Sequence, residues 1–580
     1  MITLKIDGQQ VQVPEGTTVL KAAKKANINI PTLCYLEGIN AIGACRICLV
    51  EVARMPGLQA SCVLPVSEGM EVFTNTKKVL EARKTNLELI LGNHKKDCLS
   101  CVRSQNCELQ ALAVELGAED QRFDGVQYDR PMDTSSYSIV RDPMKCILCR
   151  RCVAVCRNIQ KIGAIGPAHR GFKTIIEPAF GKNIADVPCV NCGQCIVSCP
   201  VGALSERSEI DKVWDAIHNP DLHVVVQPAP AIRVSIGEEF GMPIGTKVTG
   251  KLAAALRRVG FDRVFDTDFA ADLTIMEEGT EFINRVQNGG KLPMITSCSP
   301  GWIKYCEHFF PDFLDNLSTC KSPHEMEGAL IKSYYAKKEG IDPKKIFVVS
   351  IMPCTAKKFE KEREELAAVD GLPDVDAVLT TREAAKMIKQ ANIDFVNLPD
   401  EDFDPLIGAS TGAAVIFGAT GGVMEAALRT VADILTGQDL KEIDYKAVRG
   451  LDGIKEATVN VAGMDVNVAV ASSTGAAKEL LEKVRSGEKK YHFIEIMGCP
   501  GGCINGGGQP IVSSRIKMSI NPAELRMKAT YDADKAMPLR KSHKNPEITK
   551  IYEEFLGKPN SHKAHELLHT HYHAREKYKN

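Results

Sequence analysis

At 580 residues the chain is long enough for roughly four domains of about 150 residues and for at least one large buried core. Lys+Arg total 72 against Asp+Glu 73, a formal charge of -1, which argues against a nucleic-acid partner or an acidic membrane surface. Hydrophobic residues at 44% and charged residues at 25% are ordinary for soluble domains, and no apolar run approaches the ~18 residues of a membrane helix. The opening MITLKIDGQQVQV has neither a charged-then-apolar export pattern nor a twin arginine, so the cytoplasm is the expected compartment and no membrane partner is expected. In a reducing compartment thiols serve metals or redox chemistry, and 15 of the 21 cysteines precede residue 200.

Taken in chain order, Leu4-Lys5-Ile6 and Gln10 to Val13 flank Asp7-Gly8 as a hairpin, and a helix is expected from about Thr18 to Ala26. This describes a small sheet-plus-helix domain over 1–78. Its Cys34, Cys45, Cys48 and Cys62 combine one C-x2-C pair with two outliers, a loop framework suited to a [2Fe-2S] cluster. The x10 gap departs from the plant-type x4, and zinc is the rival, although zinc sites more often use two close pairs.

Residues 77–118 look helical except between His94 and Cys107. There His94, Cys98, Cys101 and Cys107 form H-x3-C-x2-C-x5-C, a set that also suits structural zinc. Its place between two iron-sulfur candidates favours a [4Fe-4S] cluster, in a domain over 79–138. From 139 to 209, Cys146-x2-Cys149-x2-Cys152-x3-Cys156 precedes Cys189-x2-Cys192-x2-Cys195-x3-Cys199-Pro200, the two-cluster pattern of bacterial ferredoxins. In that pattern the fourth cysteine serves the other cluster. Cys199 is therefore expected with Cys146, Cys149 and Cys152, and Cys156 with Cys189, Cys192 and Cys195. Arg157 stands where the pattern has a proline, a change in the turn rather than in the ligands. Four such centres in series make an electron wire, which needs a terminus.

After Ser208 the character changes. Strand-like His223 to Val226, Lys345 to Ile351 and Tyr491 to Met497 alternate with amphipathic stretches such as Gly250 to Val259 and Thr381 to Gln390, which argues an α/β core over 210–580 with functional loops after its strand ends. Gly418-Ala-Thr-Gly-Gly422 lacks the GxGxxG spacing and reads as a helix start, so a nucleotide site is expected only in another chain. The last forty residues are helical in pattern and carry His569, His571 and His573, read as an exposed helix with metal binding as the alternative.

Six cysteines remain. Cys306 and Cys320 read as core residues needing no function. Cys298 lies in Thr296-Ser-Cys-Ser-Pro-Gly-Trp302 and Cys354 in Met352-Pro-Cys-Thr-Ala-Lys-Lys-Phe-Glu360. Cys499 and Cys503 lie in Glu495-Ile-Met-Gly-Cys-Pro-Gly-Gly-Cys-Ile-Asn-Gly-Gly-Gly-Gln-Pro510, whose glycines let backbone approach a bulky ligand. At these residues the chain resembles the [FeFe]-hydrogenases, whose signatures are TSCCPxW, MPCxxKKxE and ExMxCxxGCxxGGGQP. The resemblance spans essentially the whole chain, including the order of the accessory sites. Within the family it is greatest to the catalytic subunits of NAD(P)-linked multi-subunit enzymes, and the domain plan is shared with the monomeric clostridial ferredoxin-dependent ones.

The resemblance implies an α+β and α/β multidomain fold: β-grasp ferredoxin-like and two-cluster ferredoxin-like domains, then a two-lobed α/β hydrogenase domain. It implies one [2Fe-2S] and three accessory [4Fe-4S] clusters. It also implies an H-cluster, in which a [4Fe-4S] cubane shares a cysteine with a two-iron unit carrying CO, cyanide and a dithiolate amine. Carried over by motif, Cys354 and Cys499 hold the cubane, Cys503 bridges, Lys357 hydrogen-bonds a cyanide, and Pro230, Ala231, Met352, Phe417 and Met497 line the pocket. The family's fourth cubane cysteine is Ser299 here, which leaves three readings open: serine oxygen ligates, Cys298 shifts to do so, or the serine is an introduced change.

Glu278, Glu281 and Arg285 fall at i, i+3 and i+7 on one helix face, ordinarily a surface salt-bridge face. The resemblance turns them into a proton relay running Cys298, Glu278, Ser318, Glu281, Arg285. The implied reaction is 2H+ + 2e- = H2 in either direction. Implied partners are ferredoxin or a flavin-bearing NAD(P) subunit, together with the proteins that mature the two-iron unit. A reading of a different class, a non-catalytic iron-sulfur electron-transfer or H2-sensing protein, rests on Ser299 alone.

Overall fold

The computed structural model describes residues 1–118, 122–125, 129–461 and 463–579. The first hairpin forms as the alternation dictates: strands Ile2–Ile6 and Gln9–Val13 pair antiparallel, burying Leu4, Ile6, Val11 and Val13 on one face. Helix Val19–Lys25, capped by the Thr18 hydroxyl, covers that face, and strands Leu49–Val52, Leu58–Ala60 and Glu71–Phe73 complete a five-stranded sheet. The two helices expected over 77–118 are Lys77–Gly92 and Glu108–Glu115. Between them His94 and the first cysteines lie on a short turn.

The two ferredoxin-type runs are built alike. Short helices Arg151–Ala154 and Gln194–Ser198 follow Arg150 and Gly193, both left-handed, and strands Ile139–Arg141 and Leu204–Glu206 pair antiparallel to close the unit. The positive φ of Gly193 is matched by close packing, since a Cβ there would lie 2.4 Å from Thr355 Oγ1 and 2.9 Å from Gly507 Cα.

The catalytic half holds two four-stranded sheets. In the first, Arg263–Val264, His223–Pro228, Ile346–Met352 and Ala377–Thr380 are all parallel. In the second, Met294–Ile295, Phe493–Met497 and Met464–Ser472 are parallel and Ile454–Val461 is antiparallel. All five residues of Phe493–Met497 are buried, as befits a strand covered on both faces. Helices Thr249–Val259, Pro323–Leu330 and Thr381–Gln390 pack into the core of the first sheet, while Thr267–Gln287 and Gly422–Thr436 cover one face of the second. Pro300–Phe309 and Thr474–Arg485 cover its other face.

The C-terminal segment is tied in by buried ion pairs: Arg526 reaches Glu238 at 2.6 Å and the Ile504 carbonyl at 2.8 Å, and Arg429 reaches Asp534 at 2.9 Å. One expectation is corrected here. The last helix, His562–Leu568, stops before the histidine cluster, so His569, His571 and His573 are not on an exposed helix. His569 is buried while His571 and His573 are exposed.

Candidate active site

Both sheets of the catalytic half deliver their strand ends to one cavity. Strand His223–Pro228 runs into Pro230 and Ala231, and Ile346–Met352 ends two residues before Cys354. Phe493–Met497 ends two residues before Cys499, and Met294–Ile295 leads into Cys298 and Ser299. Loops after parallel strand ends are where such sheets place ligands. Pro230, Ala231, Cys298, Ser299, Met352, Cys354, Lys357, Phe417, Met497 and Cys503 all line this cavity, so the pocket residues read from the sequence are brought together. Cys499 lies behind it, against the accessory run. Burial raises the thiol of Cys499 well above its ordinary range, with Cys354 and Cys503 adding to the effect, and raises Cys503 to about 12. A cluster of thiols that resist ionising in isolation is what a bound cation would relieve.

Lys357 is buried, and its Nζ donates to Glu360 Oε2 at 2.7 Å and to the Cys298 carbonyl at 3.3 Å. Burial alone would strip its proton, but the Glu360 carboxylate outweighs this and holds Lys357 above the usual lysine range. Burial likewise opposes ionisation of Glu360, yet Lys357 and His324 bring it down to about 2. His324 Nε2 lies 2.7 Å from Glu360 Oε2 and the Ser322 hydroxyl donates to it at 3.0 Å. Sequence reasoning missed both supports. Glu360 stands in the second motif and could have been found there, whereas nothing local marks His324.

Ser299 occupies the N-cap position of Pro300–Phe309, but its hydroxyl does not cap that helix. Its Oγ instead accepts from the Gly498 amide at 3.0 Å, beside Cys499. The donor set thus offers three soft thiols and one hard oxygen, with an ammonium at hand for an anionic ligand. It fits a cubane joined to a two-iron unit through Cys354, Cys499 and Cys503, and departs from it in softness at Ser299.

The glycine-rich loop after Cys503 joins this cavity to the accessory run. A Cβ on Gly506 would lie 2.1 Å from the Pro353 carbonyl oxygen, and one on Gly507 would lie 2.3 Å from the Cys192 carbonyl oxygen. Gln160 donates to the Gly498 carbonyl at 2.8 Å, Gln194 to the Asn505 carbonyl at 3.0 Å, and Thr355 to the Asn191 carbonyl at 2.7 Å. Backbone therefore meets backbone between the cavity and the second ferredoxin-type run.

Among the accessory sets, Cys146, Cys149, Cys152 and Cys199 line one small cavity, the arrangement expected from the exchanged fourth cysteine. Cys156 lies within electrostatic reach of Cys189, Cys192 and Cys195. Cys34 pairs with Cys45 and Cys48 with Cys62, and Cys34 also acts on Cys48 and Cys62. Cys101 and Cys107 are close enough to interact, His94 is buried, and Cys98 is exposed beside a fully exposed Leu99.

The residues expected to form a proton relay also converge. Helix Thr267–Gln287 turns Glu278 inward and Glu281 and Arg285 toward the surface. Burial, reinforced by Glu281, raises Glu278 to about 8, and the Ser318 hydroxyl and Ser297 amide partly offset this. Ser318 donates to Glu281 Oε2 at 2.8 Å, and Arg285 donates to Glu281 Oε1 at 2.6 Å. Burial and the nearby Glu278 raise the Cys298 thiol. The ordinary salt-bridge reading holds for Glu281 and Arg285; buried Glu278 lies outside it.

A cavity at the strand ends of two sheets, ringed by thiols and fed by a chain of cysteine-bound sites, defines an iron-sulfur oxidoreductase. Residues 222–507 match the family described as iron only hydrogenase large subunit, C-terminal domain, and 521–575 match iron hydrogenase small subunit. Residues 1–77 match a 2Fe-2S iron-sulfur cluster binding domain, and 83–122 match the NADH-ubiquinone oxidoreductase-G iron-sulfur binding region. The chain is 52% identical over all of its length to the NADP-reducing hydrogenase subunit HndD of Solidesulfovibrio fructosivorans, of which it covers 100%. It is 44% identical over 99% of its length to iron hydrogenase 1 of Clostridium pasteurianum, of which it covers 100%. Its fold matches an apo [FeFe]-hydrogenase HydA1 of Chlamydomonas reinhardtii with a TM-score of 0.57 and 42% identity, over 64% of this chain and 100% of that one. The chain belongs to the iron-only, or [FeFe], hydrogenase family. Ferredoxin-like iron-sulfur domains precede a catalytic domain of mixed α/β sheets, and the chain is an oxidoreductase that interconverts protons, electrons and H2. Among the described residues no helix is long and apolar enough to cross a membrane.

Proposed function

We propose that this chain is the catalytic unit of a cytoplasmic hydrogenase in which electrons and protons reach the cavity from opposite sides. The observations that support this are the close packing of the Gly506–Gly507 loop against Pro353 and Cys192, and a buried Glu278 within electrostatic reach of Cys298 in the cavity lining. The H-cluster supplies the redox chemistry at hydrogen. Cys354 and Cys499 would hold its cubane and Cys503 would bridge to its two-iron unit. Ser299 would complete the cubane through oxygen, since its Oγ already faces the Cys499 turn through Gly498.

The chain's own groups do the rest. Lys357, kept charged and aimed by Glu360, presents an ammonium to a cyanide. Met352, Phe417, Met497, Pro230 and Ala231 exclude water. Cys298 exchanges protons with the cavity, Glu278 holds one near neutral pH, Ser318 passes it, and Glu281 delivers it beside Arg285. Glu278 suits this role because a carboxyl raised to about 8 holds its proton at neutral pH and releases it just above.

Three accessory [4Fe-4S] clusters and one [2Fe-2S] cluster account for the N-terminal ligand sets, His94 included, in units at 1–78, 79–138 and 139–209, with 210–580 catalytic. The first unit is β-grasp in type and the catalytic unit two-lobed. The likeness to HndD, an NADP-reducing hydrogenase subunit, supports an NAD(P)-linked subunit as the electron partner, and ferredoxin is the alternative that the family resemblance implies. Either arrangement needs proteins that mature the two-iron unit.

The test is hydrogen evolution from dithionite-reduced methyl viologen by anaerobically purified, matured chain, with infrared spectra of the same sample. Turnover with CO and cyanide bands supports the reading. Bands without turnover overturn the relay as drawn, and neither signal overturns the catalytic assignment in favour of an electron-transfer protein.

A further inference from the structure

At the Glu281 end of the relay, three buried metal-ligating side chains from three segments meet. Glu281 comes from helix Thr267–Gln287, Cys320 from the loop before helix Pro323–Leu330, and His569 from just beyond helix His562–Leu568. One ligand atom from each lies within 4.8 Å of the others, with Cys320 Sγ 3.9 Å from Glu281 Oε2. Tetrahedral zinc with ligands at ~2.0–2.3 Å sets its donors about 3.5 Å apart, so small side-chain rotations would close the set. Sulfur, imidazole nitrogen and carboxylate oxygen together suit zinc and do not suit calcium or magnesium.

A second observation points the same way. His569 Nε2 lies 3.1 Å from Glu277 Oε2, and Glu277 is itself fixed by the Tyr552 hydroxyl at 2.5 Å and the Asn560 amide at 2.8 Å. A carboxylate on one ring nitrogen is how proteins orient a ligating histidine, and it leaves Nδ1 with its lone pair free to accept. Nδ1 now lies 2.8 Å from the Thr319 hydroxyl, which can rotate away. The other close trio among the described residues, His324, Glu325 and Glu360, lacks sulfur and already holds the Lys357 ammonium at 2.7 Å.

We propose that Glu281, Cys320 and His569 bind one Zn2+ ion that throttles turnover. The ligands are Glu281 Oε2, Cys320 Sγ and His569 Nδ1, with water as the fourth. On binding, the Cys320 thiol releases its proton to solvent and the zinc-sulfur bond takes its place. Arg285 keeps Glu281 Oε1 at 2.6 Å, whereas the Ser318 hydroxyl, now 2.8 Å from Oε2, loses its acceptor. The site stands on its own geometry. The throttle rests on the relay assigned above.

The experiment uses anaerobic, fully matured enzyme equilibrated with zinc chloride and freed of excess metal. Wild type is expected to retain one more zinc per chain than Cys320→Ala or His569→Gln. Zinc-edge X-ray absorption of that extra ion should show one sulfur among nitrogen and oxygen neighbours. Wild-type hydrogen evolution should fall more than tenfold with zinc and recover with a chelator, while both variants keep their zinc-free rate. The accessory-cluster EPR signals of the variants verify that they are folded. Equal zinc in all three proteins, or a shell without sulfur, overturns the site. Zinc bound with sulfur but without loss of rate overturns the throttle. Glu281→Gln then separates the causes, since full activity in that variant means the relay reading failed and inactivity means only the throttle did.

Discussion

Replacing Glu360 by glutamine keeps the shape of the side chain and removes the charge that holds Lys357 at the cavity. Two routes to the cost agree. A carboxyl held at about 2 against an ordinary 4.5 corresponds to about 3 kcal/mol of preference for the anion, at ~1.4 kcal/mol per tenfold change. Removing one partner of a buried ion pair generally costs about 3–5 kcal/mol, because the other charge is left uncompensated. Here the abandoned group is the buried Lys357, left with neutral acceptors, the Cys298 carbonyl at 3.3 Å among them, in place of a carboxylate. Glu360→Gln is therefore expected to lower stability by about 3 kcal/mol at pH 7. Since the native value lies below the ordinary one, that stability is present above pH about 4.5 and is lost as pH falls toward 2. The difference between the two proteins should thus shrink below pH 4.5. Anaerobic urea unfolding followed by the fluorescence of Trp302, which is fully buried three residues from Ser299, measures it. A difference under about 0.5 kcal/mol at pH 7, the scale of a neutral surface change, would refute the account of Lys357.

Glu278 titrates at about 8, above its ordinary 4.5, so its proton is available below pH 8 and lost above it. Hydrogen evolution should fall on that alkaline limb, and Glu278→Gln should cost about 10²–10⁴-fold in rate. The same raised value means that burying Glu278 costs stability increasingly from pH 4.5 to 8, a slope that the glutamine variant should lose. Gly507→Ala would drive a methyl to 2.3 Å from the Cys192 carbonyl oxygen, a strain of about 1–3 kcal/mol that opens the junction between wire and cavity. Viologen-driven turnover should then drop more than exchange of H2 with D2O, which needs no external electrons; equal losses would argue against the junction. Ser299→Cys should keep cubane iron longer under chelator challenge, read by iron content and EPR of the chain lacking its two-iron unit, and unchanged retention would remove residue 299 from the ligand set.

Much of this molecule is local and could be read without coordinates. The hairpin at Asp7-Gly8, the cysteine runs of the two ferredoxin-type segments, the strand segments His223–Pro228 and Ile346–Met352 and the three cysteine motifs depend on turn chemistry, period and spacing, which lie within a few residues of one another. Relations between distant segments were not legible. His324 reaches Glu360 from 36 residues away and Thr355 reaches Asn191 from 164. The tail histidines follow the same rule: their pattern read as an exposed helix, but the chain ends its helix at Leu568 and of the three buries only His569, against Glu277, 292 residues earlier. Cys320 looked like filler because its neighbours in sequence carry no motif, and only the bridge between residues 320 and 569 brings imidazole beside it. Sequence determines which donors exist and how they are spaced along the chain. Tertiary packing decides which donors share a low-dielectric pocket, and there the cost of an unpaired charge selects the partners.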